Sequence, residues 1–341
     1  MPEQRKKRIL TGDRPTGCLH LGHYVGSLKN RVDFQDDYDC FFIIADYQVL
    51  TDHINNTKGV GESIRNILLD YLSVGIDPKK SSIFIQSMIP EIAQLTMYFS
   101  MLVSVPRLQR NPTIKEEATA ARIGAKEISY GFLGYPVSQA ADILSVRADV
   151  VPVGEDQLPH LEQTREIAKS FNRTFDDVFK YPEALLGEYP RLPGIDRQKM
   201  SKSRGNAIFL SDSPEEVAKK VMKAYTDPQK IHLTDPGHIE GNVVFNYLDA
   251  FYDNKKEIDD LKGKYERGEI GDVAIKKILI DILNEFLSPI RERRRQYEDD
   301  PKLLEKILLE GNERTREEAQ KTLELVHKAM NYHYGNIFSF R

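Results

Sequence analysis

Two stretches of the chain place imidazole and ammonium groups where oxyanions could be bound. His20-Leu21-Gly22-His23 follows a glycine- and proline-rich segment, GDRPTG at 12–17, and opens a helical apolar pattern over 21–34. At a helix start, free N–H groups and the positive dipole end attract phosphate oxygens. Two imidazoles on the first turn can reach one phosphate, and Gly22 lets a flat base lie on the backbone. The second stretch is Lys199-Met200-Ser201-Lys202-Ser203, with Gly205-Asn206 just beyond it. Two ammonium groups and two hydroxyls on a loop suit a charged, transient group such as the β,γ-phosphates of ATP. Each stretch alone also reads as solvated surface. Together, in this order and behind a nucleotide-type sheet, they point to phosphoryl chemistry.

The elements that must hold these stretches follow from hydrophobic periodicity. Residues 8–11 (RILT), 40–46 (CFFIIAD) and 82–86 (SIFIQ) read as strands, separated by helical patterns over 21–34 and 64–72. A continuous apolar run marks a strand buried on both faces. Strand, helix, strand, helix, strand predicts a parallel sheet with crossover helices, the Rossmann type. Residues 95–105 (LTMYFSMLVSV) are apolar nearly all round and predict a helix buried on every side or set against a second subunit. Residues 107–130 read as a charged, mobile insertion. A helix after Tyr135-Pro136, a strand at 149–153 and a helix over 156–171 resume the pattern. From Ser213 the chain becomes helical, with a weak strand signal only at 243–245. The expectation is an α/β catalytic domain over 1–210 and an all-helical domain over 211–341.

Composition bounds the function class. With 341 residues, 40% hydrophobic and 29% charged, the chain can bury a sizeable core and is expected to form two domains. No apolar run approaches the ~18 residues of a membrane span, and the basic start MPEQRKKR leads into ILTGDRPTG rather than a signal-peptide core. A net charge of −4 excludes a general positive field that would coat nucleic acid. Arg291, Arg293, Arg294 and Arg295 form a local basic cluster that reads equally as a solvated helix end or an RNA contact. Two cysteines, Cys18 and Cys40, exclude a disulfide scaffold and a four-cysteine metal site, and suit the reducing cytoplasm. No structural metal is expected.

The two stretches resemble the HIGH and KMSKS signatures of class I aminoacyl-tRNA synthetases. Pro15-Thr16-Gly17, His20 to His23, Tyr24 and Gly26 are similar to the form found in the tryptophanyl and tyrosyl subclass. Tyr135-Pro136-Val137, Ala140-Ala141-Asp142-Ile143-Leu144, and Val153 to Gln157 followed by His160 and Thr164-Arg165 extend the similarity. It runs in order from about residue 9 to 230. The resemblance implies activation of L-tryptophan by ATP with Mg²⁺, giving an adenylate and pyrophosphate, then transfer to tRNA(Trp). It also implies a cytoplasmic homodimer, with the helical domain reading the anticodon.

By position, the resemblance assigns His20, His23, Lys199 and Lys202 to catalysis. Arg14, Pro15, Thr16, Gly22, Lys115, Gly154, Glu155, Asp156, Leu192, Met200, Ser201 and Ser203 would complete the ATP site. Asp142 would accept the indole N–H, with Tyr135, Gln139, Gln157 and Gln48 around the amino acid. A buried carboxylate matters here because an apolar pocket alone discriminates weakly among aromatic rings. Gln139 and Gln48 depart from the methionine and histidine common in bacterial members, and tyrosine is the alternative substrate. Two further readings stay open: another nucleotidyltransferase with the same histidine signature, and a non-catalytic RNA-binding paralogue. The absence of tryptophan from the chain suits an enzyme needed when tryptophan is scarce.

Overall fold

The computed structural model describes residues 5–55, 57–120, 124, 127–154, 157–186 and 192–332. In chain order, β1 (Arg8–Asp13) leads to α1 (Leu21–His23), a π-helical turn (Tyr24–Leu28) and α2 (Lys29–Asp37). Then come β2 (Asp39–Ile44), α3 (Asp46–His53), α4 (Val60–Val74), β3 (Ser81–Ile85) and α5 (Pro90–Ser100). Next are α6 (Val105–Gln109), α7 (Pro112–Ala120), α8 (Tyr130–Ser145), β4 (Val150–Val153), α9 (Leu158–Thr174) and β5 (Glu183–Leu186). The remainder is helical: α10 (Pro214–Met222), α11 (Val243–Phe251), α12 (Lys255–Glu266), α13 (Asp272–Glu298) and α14 (Pro301–Ala329).

The five strands form one parallel sheet in the order β3-β2-β1-β4-β5. Alternation along β2 builds two cores. Cys40, Phe42 and Ile44 face the side covered by α4 and α13, while Phe41, Ile43 and Ala45 face α5, α8 and α9. The order reverses between β1 and β4. Ligands of such sheets bind beyond the carboxyl ends of the strands at this switch point. Gly12 is required by packing there, since a Cβ would lie 1.9 Å from the Ile43 carbonyl oxygen.

The C-terminal half does not stand apart from this sheet. Helix α14 lies along the β3 edge, where Asn312 Oδ1 accepts the Ile85 N–H at 2.9 Å. A Cβ on Gly311 would meet the Ile83 carbonyl oxygen at 2.0 Å. The edge that would otherwise offer unpaired main-chain groups is thereby covered.

Three expectations are corrected. The 95–105 segment is not a helix buried all round: α5 ends at Ser100 and buries Glu91, Ile92, Leu95 and Phe99 on one side, leaving Met97 and Met101 exposed. Among its described residues the 107–130 insertion forms helices α6 and α7, because Leu108, Ile114 and Ala118 give them an apolar side to bury. Residues 243–245 begin helix α11, capped by Asn242, whose side chain accepts the Val244 N–H. Its buried residues recur at helical spacing, which overrides the β preference of two valines. Strand β5 was not expected; Glu183 and Leu186 are exposed, Ala184 and Leu185 half-buried, and four residues are too few to show a strand period.

Candidate active site

His20 sits where the loop after β1 becomes α1, and main-chain bonds hold both sides of it. The Leu19 carbonyl accepts from Leu210 N–H at 3.1 Å, and Leu21 N–H donates to the Ile208 carbonyl at 2.9 Å. The His20 and His23 rings lie against each other with centroids 3.8 Å apart, tilted by 42°. His20 N–H donates to His23 Nδ1 at 3.2 Å, which leaves the neutral His23 ring its proton on Nε2. His20 Nδ1 is buried with no hydrogen-bond partner among the described residues. A buried, unsatisfied polar atom is costly and is commonly completed by a ligand. The π turn directly after His23 is a feature often found at functional sites.

Burial, then the nearby charges of His23 and Lys202, lower the His20 pKa to about 3. His23 is lowered to about 4, chiefly by burial, although Asp13 pulls it upward. Both rings are therefore neutral near pH 7. They present N–H donors without the repulsion that two imidazolium ions would impose on each other and on Lys202.

The lysine loop closes onto the same place. Ser201 N–H donates to Asn206 Oδ1 at 2.8 Å, and Asn206 Nδ2 donates to Asp196 Oδ1 at 2.7 Å and to the Lys199 carbonyl at 3.2 Å. Asn206, 3% exposed, is thus the post on which the loop is wound. Lys202 Nζ reaches back to the Gly17 carbonyl at 2.8 Å and Thr16 Oγ1 at 3.3 Å. Burial lowers its pKa, while Asp13 and Asp70 pull it upward. Met200 is buried, and its sulfur would lie 3.2 Å from a Cβ on Gly22.

Other expected phosphate-side residues are less closely joined. Pro15 is buried and Arg14 half-buried in the loop after β1, with Thr16 exposed. Lys199 is exposed, and its main chain bridges to Pro193 beside half-buried Leu192. Lys115 is exposed on α7, and no hydrogen bond or ion pair among the described residues links it to His20 or Lys202. Gly154 follows β4 and accepts the Gln157 N–H at 3.0 Å. Glu155, Asp156 and the side chain of Ser203 lie outside the described residues.

A second cluster of expected site residues is built on α8. Asp142 is 2% exposed, and both its oxygens accept from Gln86 Nε2, at 2.8 and 2.9 Å. Burial raises its pKa to about 7, aided by the Asp46 charge and opposed by Gln86. Tyr135 meets His160 Nε2 at 3.0 Å. Asn111 Oδ1 accepts the Thr113 N–H, so its Nδ2 donates to His160 Nδ1 at 3.3 Å, and the imidazole proton faces Tyr135. Gln157 stands half-buried at the start of α9. Gln139 and Gln48 are half-buried and make no hydrogen bond to Asp142 among the described residues. Gln48 instead borders an apolar cavity of about 310 Å³, with Tyr135 and Val137 on its wall.

Several supporting residues were not anticipated. Asp13, at the end of β1, accepts from Arg31 Nη1 and from the Tyr71 hydroxyl, each at 2.7 Å. Burial opposes its ionisation, but Arg31 and His23 hold its pKa down at about 2. Asp70 accepts the Leu19 N–H at 2.7 Å. The sequence signal for Asp70 was an acid inside the apolar run ILLDYL, a position that demands a partner. The arginine cluster is largely internal. Arg294 is 7% exposed and pairs with Asp70, Arg291 donates to the Asp212 carbonyl, and Arg293 to the Ser73 carbonyl. Only Arg295 of the four is exposed as an RNA contact would require.

Neutral imidazoles and a lysine meeting beyond the switch point of a parallel sheet place the molecule among class I nucleotide-activating synthetases. The chain belongs to the class I tRNA synthetases for tryptophan and tyrosine: the model of that family, "tRNA synthetases class I (W and Y)", matches residues 2–288. A tryptophan–tRNA ligase of Streptococcus pyogenes serotype M3 is 54% identical over 96% of this chain and 99% of its own length. One from Streptococcus pneumoniae serotype 4 is 52% identical over 97% of this chain and 99% of its own. The tryptophanyl-tRNA synthetase of Campylobacter jejuni, complexed with ADP and tryptophan, superposes with a TM-score of 0.84 at 32% identity. That match covers 95% of this chain and 99% of that one.

Proposed function

We propose that this enzyme ligates tryptophan to tRNA, and that both steps run in the cleft between His20 and Asp142. The observation that carries the activity is end-to-end similarity to tryptophan–tRNA ligases, at 54% identity over 96% of the chain. In the first step an oxygen of the tryptophan carboxylate attacks the α-phosphorus of ATP, supplied with Mg²⁺ as a substrate complex. The bond to the bridging oxygen breaks and pyrophosphate leaves. The ribose hydroxyl of the tRNA end then attacks the adenylate carbonyl, and AMP leaves.

No protein nucleophile is needed, so the enzyme's work is positioning and charge stabilisation. Neutral His20 and His23 donate to phosphoryl oxygens. Lys202, with Lys199, Ser201 and Ser203 on the same loop, draws charge toward the leaving pyrophosphate. Arg14, Pro15, Thr16, Gly22, Met200 and Leu192, with Gly154, Glu155 and Asp156, frame the nucleotide, and Lys115 approaches the phosphates. Asp142, oriented by Gln86, accepts the indole N–H. Tyr135 and Gln157 face the amino-acid backbone end, with Gln139 and Gln48 on the pocket's rim.

The helical half over 211–341 reads the anticodon. The enzyme works as a cytoplasmic homodimer, for which exposed Met97, Met101, Val105 and Tyr130 supply an apolar surface. The test is ATP–pyrophosphate exchange with a panel of amino acids. Exchange with tryptophan is expected; turnover with tyrosine alone would reverse the substrate assignment.

A further inference from the structure

We propose that Asp70 and Arg294 are a positioning pair: their buried ion pair sets the main chain at His20 and ties the phosphate end of the cleft to helix α13. This rests on the reading of His20 as a phosphate ligand. Asp70 is 0% exposed, and each carboxylate oxygen has one strong donor. Oδ2 takes the Leu19 N–H at 2.7 Å, and Oδ1 takes Arg294 Nη1 at 2.6 Å. Leu19 immediately precedes His20, so this bond completes the clamp formed by Leu210 and Ile208. Arg294 spends its other donors on Asn66 Oδ1 at 2.7 Å and Glu298 Oε1 at 2.8 Å, which fixes the plane of the guanidinium.

The neighbouring arginines hold the same region. Arg293 donates to the Ser73 carbonyl at the end of α4. Arg291 donates to the Asp212 carbonyl at 2.7 Å, just past the residues that pair with Leu19 and Leu21. One helix of the C-terminal half therefore supports His20 from both α4 and the segment leaving the lysine loop. Packing alone does not call for this arrangement. A buried ion pair is often replaceable by apolar residues with no loss of stability. The feature it supplies that an apolar pair would not is an anionic acceptor for the N–H beside the phosphate-binding imidazole.

The test compares the full-length enzyme with R294K, D70N and the double variant D70N/R294M. E318Q serves as control, in the partly buried pair that Glu318 makes with Arg8 at the start of β1. R294K keeps the charge but loses the planar fork. We expect kcat for tryptophan-dependent exchange to fall about tenfold or more in R294K, with KM for tryptophan changed less than about twofold. D70N and the double variant should do the same, and E318Q should keep the wild-type kcat even where its melting temperature falls equally. Hydrogen exchange at the Leu19 amide should quicken in R294K and not in E318Q. Wild-type kcat in a folded R294K, an equal loss in E318Q, or unfolding of all three pair variants would overturn the proposal. Absence of exchange in the wild type would overturn the activity itself, and the pair's role with it.

Discussion

The two residue clusters at the ends of the proposed cleft face opposite problems. At the His20 end, Nδ1 is buried without a partner among the described residues, and Lys202 rests on a carbonyl and a hydroxyl, weak acceptors for an ammonium ion. At the amino-acid end, Asp142 is sealed and both its oxygens are engaged by one glutamine. On the proposed reading, the first end leaves donors in reserve for charge that develops only during the reaction, and the second reads a ground-state group. Catalysis profits from interactions that strengthen in the transition state, whereas selectivity comes from a buried group that the wrong ligand would leave unpaired.

That contrast makes separable predictions. Asp142→Ala should have the largest effect. The preference for tryptophan over phenylalanine, measured as a ratio of kcat/KM in the exchange assay, should drop by up to ~10⁴–10⁵. An unchanged ratio would remove Asp142 from the indole site. Next, Lys202→Ala should lower kcat by ~10²–10³ while leaving tryptophan affinity within about twofold. Parallel losses in rate and affinity would erase the distinction between the two ends.

A smaller effect concerns pH. Asp142 carries a folded-state pKa of about 7, raised by burial above the value of an exposed carboxyl. Its proton therefore stabilises the fold at acid pH, and that contribution is lost as pH rises through about 7. If Asp142 accepts the indole N–H as proposed, binding favours the ionised form, and tryptophan affinity should weaken by up to about tenfold per unit below that pH. Calorimetric titration between pH 5 and 8, flat across the range, would contradict this. The smallest effect is expected for Gly22→Ala, whose Cβ would sit 3.0 Å from His20 Nδ1 and 3.2 Å from the Met200 sulfur. A few tenths of an ångström of displacement should raise KM for ATP severalfold and leave tryptophan binding alone.

The sheet and its crossovers were legible because β2 carries an uninterrupted apolar run and α4 a clean helical stripe. The two basic stretches were legible because chemistry leaves residue types in a fixed local order. What escaped were contacts between distant parts. Gln86 and Asp142 are 56 residues apart, and Arg294 and Asp70 are 224 apart. No local pattern announces such pairs beyond the oddity of an acid in an apolar run. Local pattern also misled at α5, where methionines count as apolar in sequence although Met97 and Met101 face outward. The arginine cluster was ambiguous for a related reason. Its side chains find partners on α4 and after Phe209, a carboxylate for Arg294 and main-chain carbonyls for Arg291 and Arg293, which sequence spacing does not reveal.

The account stands or falls on whether one substrate complex spans both ends. A crystal structure of the enzyme with tryptophan and a non-hydrolysable ATP analogue tests this most directly. The account predicts His23 Nε2 and Lys202 Nζ within hydrogen-bond distance of the same triphosphate, and the indole N–H on the Asp142 carboxylate. A triphosphate held by one of these groups and not the other, or an indole turned away from Asp142, would contradict it.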